Sequence, residues 1–199
     1  MTIDKPLLDA LDGPAQDARR LHDRLVTEAG DRDLLDVAYR TVDSPVGRLL
    51  LAATPRGLVR VAFALEDHDA VLSRLAADVS PRVLEAPGRL DGAARELDEY
   101  FAGRRTVFDL DLDLQLTHGF RREVVARLPQ IAYGSTATYS AVAQLVGRPK
   151  AVRAVGSACA NNPLPLVVPC HRVVRTDGSI GHYLGGSEVK RELLRMEAA

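Results

Sequence analysis

The sequence predicts an α/β chain built in two parts, a strand-rich first half and a mainly helical second half that carries a helix-turn-helix. Three features lead there. Between Asp36 and Phe63, short apolar runs of strand period are separated by Pro/Gly turns, the pattern of a β-meander. After Leu116 the apolar spacing becomes helical, with Phe120, Val124 and Leu128 on one face. The run TYSAVAQLVGRPKAVRAVGSACANN then reads as two helices joined by a tight turn.

Taken in order, residues 1–35 are acidic and helix-prone, with Leu21 and Leu25 at helical spacing but little else to bury, so they read as a helical appendage. Val37, Tyr39 and Thr41 alternate in the first strand. SPVG at 44–47 turns the chain, RLLLAA follows, PRG at 55–57 turns it again, and LVRVAF returns. Leu72, Leu75, Ala76 and Val79 mark one helix, and Leu90, Ala94, Leu97 and Phe101 a second. In VFDLDLDLQL, 107–116, the apolar residues share one parity and the aspartates the other, as in a half-buried edge segment or an extended linker. A boundary near Leu116 gives a first domain of 36–116 and a second of 117–199. In the helix pair, Thr138 suits the first cap, Gly147 a left-handed end, and Pro149 the first turn of the second helix. That second helix is expected to carry Lys150 and Arg153 beside Ala151, Ala154 and Gly156, a small-residue surface that can lie close to a nucleic-acid groove.

Composition narrows the function classes. At 199 residues and 46% hydrophobic content the chain can bury a substantial core. Its longest apolar runs fall far short of the ~20 residues that span a bilayer, and the acidic start lacks the basic and apolar regions of a signal peptide, so the cytosol is the expected compartment. Two cysteines make no disulfide framework, and five scattered histidines show no metal-binding spacing. Charge is uneven: residues 116–199 hold eleven Lys or Arg against five acids, a net of +6, which leaves −7 for residues 1–115 of the whole-chain −1. The basic half is the one suited to a polyanion.

The chemistry concentrates in NPLPLVVPCHRVV, Asn162 to Val174. Three prolines restrict the backbone and withhold amide donors, so Cys170 is expected at a stiff, extended position. In an extended segment Cys170 and His171 point to opposite sides, and a bridging water or a turn after Pro169 is needed for His171 to take the thiol proton. Arg172 is expected to add positive potential that favours the thiolate. Cys159, among small residues of a helix, reads as a buried packing residue.

These residues carry a resemblance. RAVG at 153–156, Asn162-Pro163, PCHRV at 169–173 and GHYLGGSEVKRELLRME at 181–197 follow, in order and spacing, the pattern of the O6-alkylguanine-DNA alkyltransferases, and the likeness covers about Asp36 to Glu197. It implies a ribonuclease-H-like α/β domain followed by a helical DNA-binding domain. It also implies a single-turnover DNA repair reaction, a methylated-DNA protein-cysteine methyltransferase activity on O6-alkylguanine, with O4-alkylthymine as a further substrate. The resemblance makes Cys170 the alkyl acceptor, activated through a water by His171, which Glu197 orients. Tyr139 becomes the proton donor to the departing guanine, Asn162 the hinge whose side chain braces the turn between the second helix and the active site, and Arg153 the residue that enters the base stack when the damaged nucleotide rotates out. Lys150, Ala151, Ala154 and Gly156 accompany Arg153 on the DNA side, and Val173 with Tyr183, Leu184, Gly185 and Gly186 walls the base pocket. No cofactor and no metal are implied. The implied partner is duplex DNA holding an alkylated guanine, bound by a monomer, with side-by-side binding left open.

The sequence also departs from the pattern. YLGGS stands where the family has Tyr-Ser-Gly-Gly-Leu, so Leu184 replaces a small polar residue at the expected pocket rim, and Leu184→Ser is expected to speed transfer modestly. FRREVV at 120–125 stands where a glutamine and a tryptophan are common, and the chain has no tryptophan. The main alternative is a non-catalytic protein that binds alkylated bases and signals to other repair, against which Cys170 argues. A major-groove regulator is disfavoured by the small-residue helix, and a thiol hydrolase by the lack of an evident oxyanion hole.

Overall fold

The computed structural model describes residues 5–198, so the first four residues of the expected appendage lie outside the described residues. Helix α1, Lys5–Asp31, leads to a four-stranded sheet of β1 (Val37–Val42), β2 (Leu49–Thr54), β3 (Gly57–Phe63) and β4 (Val83–Glu85), in the order β3-β2-β1-β4. The meander β1-β2-β3 is antiparallel as expected. Strand β4, which has no legible signal in the sequence, pairs parallel with β1. Two turns set this register. Gly47, at φ +94°, closes the first, with its amide donating to Ser44 O. Gly57 opens β3 at φ +133°, where an added Cβ would lie 2.2 Å from Asp111 O.

The period of two in β2 divides the molecule into layers. Leu50 and Ala52 face one side, with Val37, Val59 and Ala62, and bury Val71 and Leu75 of α2 (His68–Asp78). Leu49 and Leu51 face the other, where α3 (Asp91–Phe101) contributes Leu97 and Tyr100. That second cluster continues without a break into the C-terminal half through Val124, Leu128, Leu164 and Leu193. Each such leucine contributes about 1.5–3 kcal/mol by burial. The 107–116 segment is an edge: Asp111 O accepts from Leu58 N, Asp113 N donates to Leu58 O, and Phe108, Leu110, Leu112 and Leu114 pack on the core.

The C-terminal half holds α4 (Gly119–Arg127), β5 (Ala137–Thr138), α5 (Tyr139–Leu145), α6 (Val152–Ala160), β6 (Val173–Val174) and α7 (Gly186–Glu197), with β5 and β6 paired in parallel. Thr138 caps α5 by accepting from Ala141 N at 3.1 Å, and Gly147 follows α5 at φ +71°. Helix α6 starts later than expected. Pro149 and Lys150 lie in the turn before it and Ala151 at its cap, because the chain needs those residues to swing from one axis to the other.

Helix α1 also corrects an expectation, since Leu21 and Leu25 are 64% and 54% exposed. Val26 and Ala29 instead pack with Leu35, Ala38 and Ala86, and His22 Nε2 meets Glu85 O at 2.6 Å. Among the described residues no helix is long and apolar enough to cross a membrane.

Candidate active site

The acceptor loop is not extended. From Pro163 to Val168 the chain runs through turns, with Val168 N donating to Leu164 O at 2.8 Å and Leu166 held at φ +74°. A buried leucine in the left-handed region stores backbone strain, which persists only where surroundings hold it. Pro169 ends the loop and Cys170–Arg172 forms a single 3-10 turn. This is the turn that lets successive residues face a common interior, so Cys170 and His171 need not point apart.

Asn162 fixes the loop from within. Its Nδ2 donates to Val168 O at 2.9 Å and to Cys170 Sγ at 3.1 Å, while its Oδ1 accepts from Leu164 N at 3.1 Å. Cys170 is only 2% exposed. Burial pushes its thiol up to about 11, against the Asn162 hydrogen bond and the nearby Lys190 charge, which pull it down. The resting group at neutral pH is therefore a thiol, and a base must take its proton during any reaction.

The candidate base is the hydrogen-bonded pair of His171 and Glu197. His171 Nε2 lies 2.8 Å from Glu197 Oε1. The carboxylate also accepts from Tyr100 Oη at 2.7 Å and from Arg172 Nε and Nη2 at 2.8 and 2.9 Å. Burial opposes its charge, but hydrogen bonds from His171 and Arg172 outweigh that and bring its pKa down to about 2. An ionised carboxylate only accepts, so His171 carries its proton on Nε2. Burial, reinforced by Arg172 and Lys190, lowers the His171 pKa and keeps the ring neutral, although Glu197 pulls the other way. Nδ1, buried and without a protein partner among the described residues, is left as a lone-pair acceptor.

Arg172 does not do what its place in the sequence implies. Its guanidinium is bound to Glu197 and, through Nη1, to Ile131 O at 2.7 Å, so its charge is neutralised there. The cation whose charge acts on Cys170 is Lys190, fully buried, with Nζ donating to Val173 O at 2.6 Å. Sequence reasoning missed Lys190 and Tyr100. A signal for Lys190 exists: with Leu193 and Glu197 it repeats at i, i+3, i+7 of α7, so two charged residues lie on a buried helical face.

The remaining expected residues fall as follows. The Tyr139 ring opens α5 and lies between Gly156 and Gly181; a Cβ at Gly181 would sit 2.3 Å from its hydroxyl. Arg153 and Ala154 are exposed on α6, Lys150 is exposed before it, and Ala151 and Gly156 are half-buried. Val173, Tyr183 and Gly185 are buried, and Gly186 starts α7 at φ +89°. Leu184 is half-buried and lines a cleft with Arg60, Glu66, Asn162 and Pro163, whose lining does not include Cys170. Among the described residues no group of three His, Cys, Asp or Glu is placed to hold a metal ion.

Comparison with known proteins bears on this arrangement. Residues 37–114 match the 6-O-methylguanine DNA methyltransferase, ribonuclease-like domain, and residues 119–199 the DNA binding domain of the same family. The methylated-DNA–protein-cysteine methyltransferase of Mycobacterium tuberculosis is 38% identical over 161 residues, 81% of this chain and 92% of that protein. A crystal structure of the M. tuberculosis O6-methylguanine methyltransferase superposes with a TM-score of 0.72 at 38% identity, covering 81% of this chain and 93% of the other. M. tuberculosis OGT in complex with DNA gives 0.69 at 37% identity over 80% of this chain and 92% of that one. The ribonuclease-like sheet domain and the helical domain that follows it are thus those of known structures, and the chain belongs to the 6-O-methylguanine DNA methyltransferase family.

Proposed function

We propose that this chain is a DNA repair alkyltransferase that takes the alkyl group from O6 of guanine in duplex DNA onto its own Cys170, once per molecule. One observation carries the reading above the others: a buried thiol is held at 3.1 Å by Asn162 Nδ2 in the same turn as a neutral histidine oriented by an ionised glutamate. In the reaction Sγ forms a bond to the alkyl carbon as the carbon–O6 bond breaks. The thiol proton passes to His171 Nδ1 through a bridging water, and the electron pair leaves on the purine. Tyr139, whose hydroxyl points toward Gly181, protonates the departing ring. The product is a thioether, which no thiol reductant reverses, so turnover stops.

In this reading residues 36–116 form the ribonuclease-like domain, 117–199 the DNA-binding domain and 1–35 an appendage. Arg153, exposed on α6 between small residues, enters the base stack to offset the few kcal/mol that base rotation costs, with Lys150, Ala151, Ala154 and Gly156 along the same DNA face. Val173 with Tyr183, Gly185 and Gly186 walls the extruded base, while the Leu184 side chain turns to the neighbouring cleft beside Arg60 and Pro163. O4-alkylthymine is a second substrate, the protein acts as a monomer, and the cytosol, where thiols stay reduced, is its compartment. The test is the mass of the Cys170 peptide after incubation with duplex containing O6-methylguanine. One methyl group per chain on Cys170 is expected; turnover beyond one equivalent, or methyl on Cys159, refutes the reading.

A further inference from the structure

Two hydrogen bonds cross from the sheet to the acceptor loop and end on one atom, the carbonyl oxygen of Pro163. The Val61 amide donates to it at 2.9 Å and Arg60 Nη1 at 3.2 Å. Pro163 directly follows Asn162, whose side chain holds Cys170 Sγ. Arg60 is largely buried, and its other terminal nitrogen pairs with Glu66, whose second oxygen accepts from the Phe63 amide at 3.0 Å. Phe63 in turn meets Tyr183 edge-on at 5.5 Å, and a Cβ at Gly185 would lie 2.9 Å from its ring. One half-buried guanidinium–carboxylate pair, from the middle of β3 to the turn after it, is therefore continuous with both sides of the site, through Pro163 with the Asn162 brace and through Phe63 with the Tyr183–Gly186 loop.

We propose that Arg60 is a positioning residue for alkyl transfer, gripping the Pro163 carbonyl so that Asn162 Nδ2 stays aimed at Cys170 Sγ. The proposal rests on the reading of Cys170 as the alkyl acceptor. One donor on a carbonyl oxygen leaves the peptide free to rock about that bond, whereas two donors from different directions fix its plane. The Val61 amide makes the shorter bond, and the Arg60 guanidinium, itself held by Glu66, supplies the second direction. The grip matters because the loop beyond it is strained at Leu166 and relaxes if its anchor loosens. Each ångström of drift at Asn162 weakens the one directed donor on the sulfur, and with it the stabilisation of the thiolate that forms as His171 takes the proton.

The experiment compares the full chain with Arg60→Met, Arg60→Lys and the double variant Arg60→Met/Glu66→Gln. Single-turnover constants are measured on O6-benzylguanine as free base and on methylated duplex, across pH 6 to 10, beside duplex affinity and denaturant unfolding. Arg60→Met is expected to slow transfer roughly tenfold on both substrates, the factor of one lost hydrogen bond, with duplex affinity changed by less than about twofold. The rise in rate toward pH 10, where the thiolate fraction of a group titrating at about 11 begins to grow, shifts to higher pH, because the thiol loses part of the donor that lowers its pKa. Arg60→Lys, which keeps the charge and one donor, recovers part of the loss.

A contribution to folding alone lowers the unfolding midpoint and leaves the rate constant and pH profile of the folded protein unmoved, and that result overturns the proposal. If Arg60→Met folds poorly, the double variant, which removes the unpaired buried carboxylate, asks the same question; a parent-like rate there overturns it as well. Loss confined to duplex substrate also overturns it, by placing Arg60 in DNA binding. No transfer by the parent chain refutes the function itself, a different failure.

Discussion

The two cysteines differ less in burial than in what faces the sulfur. Cys159, on the inner side of α6, is 5% exposed and Cys170 2%. Desolvation pushes their thiols up to about 12 and about 11. Neither exposure nor resting acidity singles out a nucleophile. The separation comes from one directed side-chain donor, Asn162 Nδ2, and from the single turn that buries Cys170 and His171 together. No side-chain donor reaches Cys159 Sγ among the described residues. Reactivity is built here as geometry that takes effect when the proton moves, and a buried thiol kept protonated until then is protected from adventitious oxidants.

Removing the sulfurs one at a time gives the largest contrast. Cys170→Ala is expected to abolish alkyl acceptance while leaving duplex binding intact, whereas Cys159→Ala keeps the transfer constant within about twofold and costs about 1 kcal/mol of stability as a small buried truncation. Mass spectrometry and denaturant unfolding read both. If Cys159→Ala also stops transfer, the two thiols act together and the comparison fails.

The next largest effect is expected at Glu197, whose Oε1 lies 2.8 Å from His171 Nε2. Glu197→Gln is expected to slow transfer about a hundredfold or more, because an amide can present a donor to His171 Nε2 and favour the wrong tautomer. It also leaves the buried Arg172 without its anion, at a cost of about 3–5 kcal/mol at neutral pH. The pH dependence has a definite sign. The folded carboxyl sits at about 2 against an ordinary 4.5, so the stability it contributes is complete above pH 4.5 and is lost as pH falls toward 2. The gap in unfolding free energy between parent and variant should therefore narrow from pH 7 to pH 3. A constant gap means that the carboxylate is not the charge that matters.

What was legible in the sequence follows the range of the interaction that writes it. The meander, the Thr138 cap and the Gly147 helix end are local patterns, and the structure carries them as read. The parallel β1–β4 pair and the Tyr100–Glu197 hydrogen bond join residues far apart in the chain, and no local spacing announces them. Arg172 departs from its expected role for the same reason. Two residues from Cys170 in sequence, it turns toward a carboxylate twenty-five residues on, because a buried guanidinium requires an anion. The three prolines by themselves imply a stiff, extended stretch, whereas the Asn162 side chain folds them into a turn.

The smallest effect concerns Leu184, which touches the donor side of the comparison and not the sulfur. From sequence it stands at the pocket rim, and Leu184→Ser is expected to speed transfer. Its half-buried side chain instead packs on the core and lines the cleft with Arg60, Glu66, Asn162 and Pro163. Serine there loses roughly half the burial of a leucine, about 1 kcal/mol of stability, and presents a hydroxyl to a cleft already rich in polar groups. The acceptor loop keeps its other anchors, so the transfer constant should change by less than about twofold and duplex affinity not at all. Single-turnover kinetics on methylated duplex, with unfolding measured alongside, distinguish the two expectations. A severalfold faster Leu184→Ser would mean that the side chain reaches the base after all, whereas a severalfold slower one would mean that the cleft transmits to Asn162 and so to Cys170.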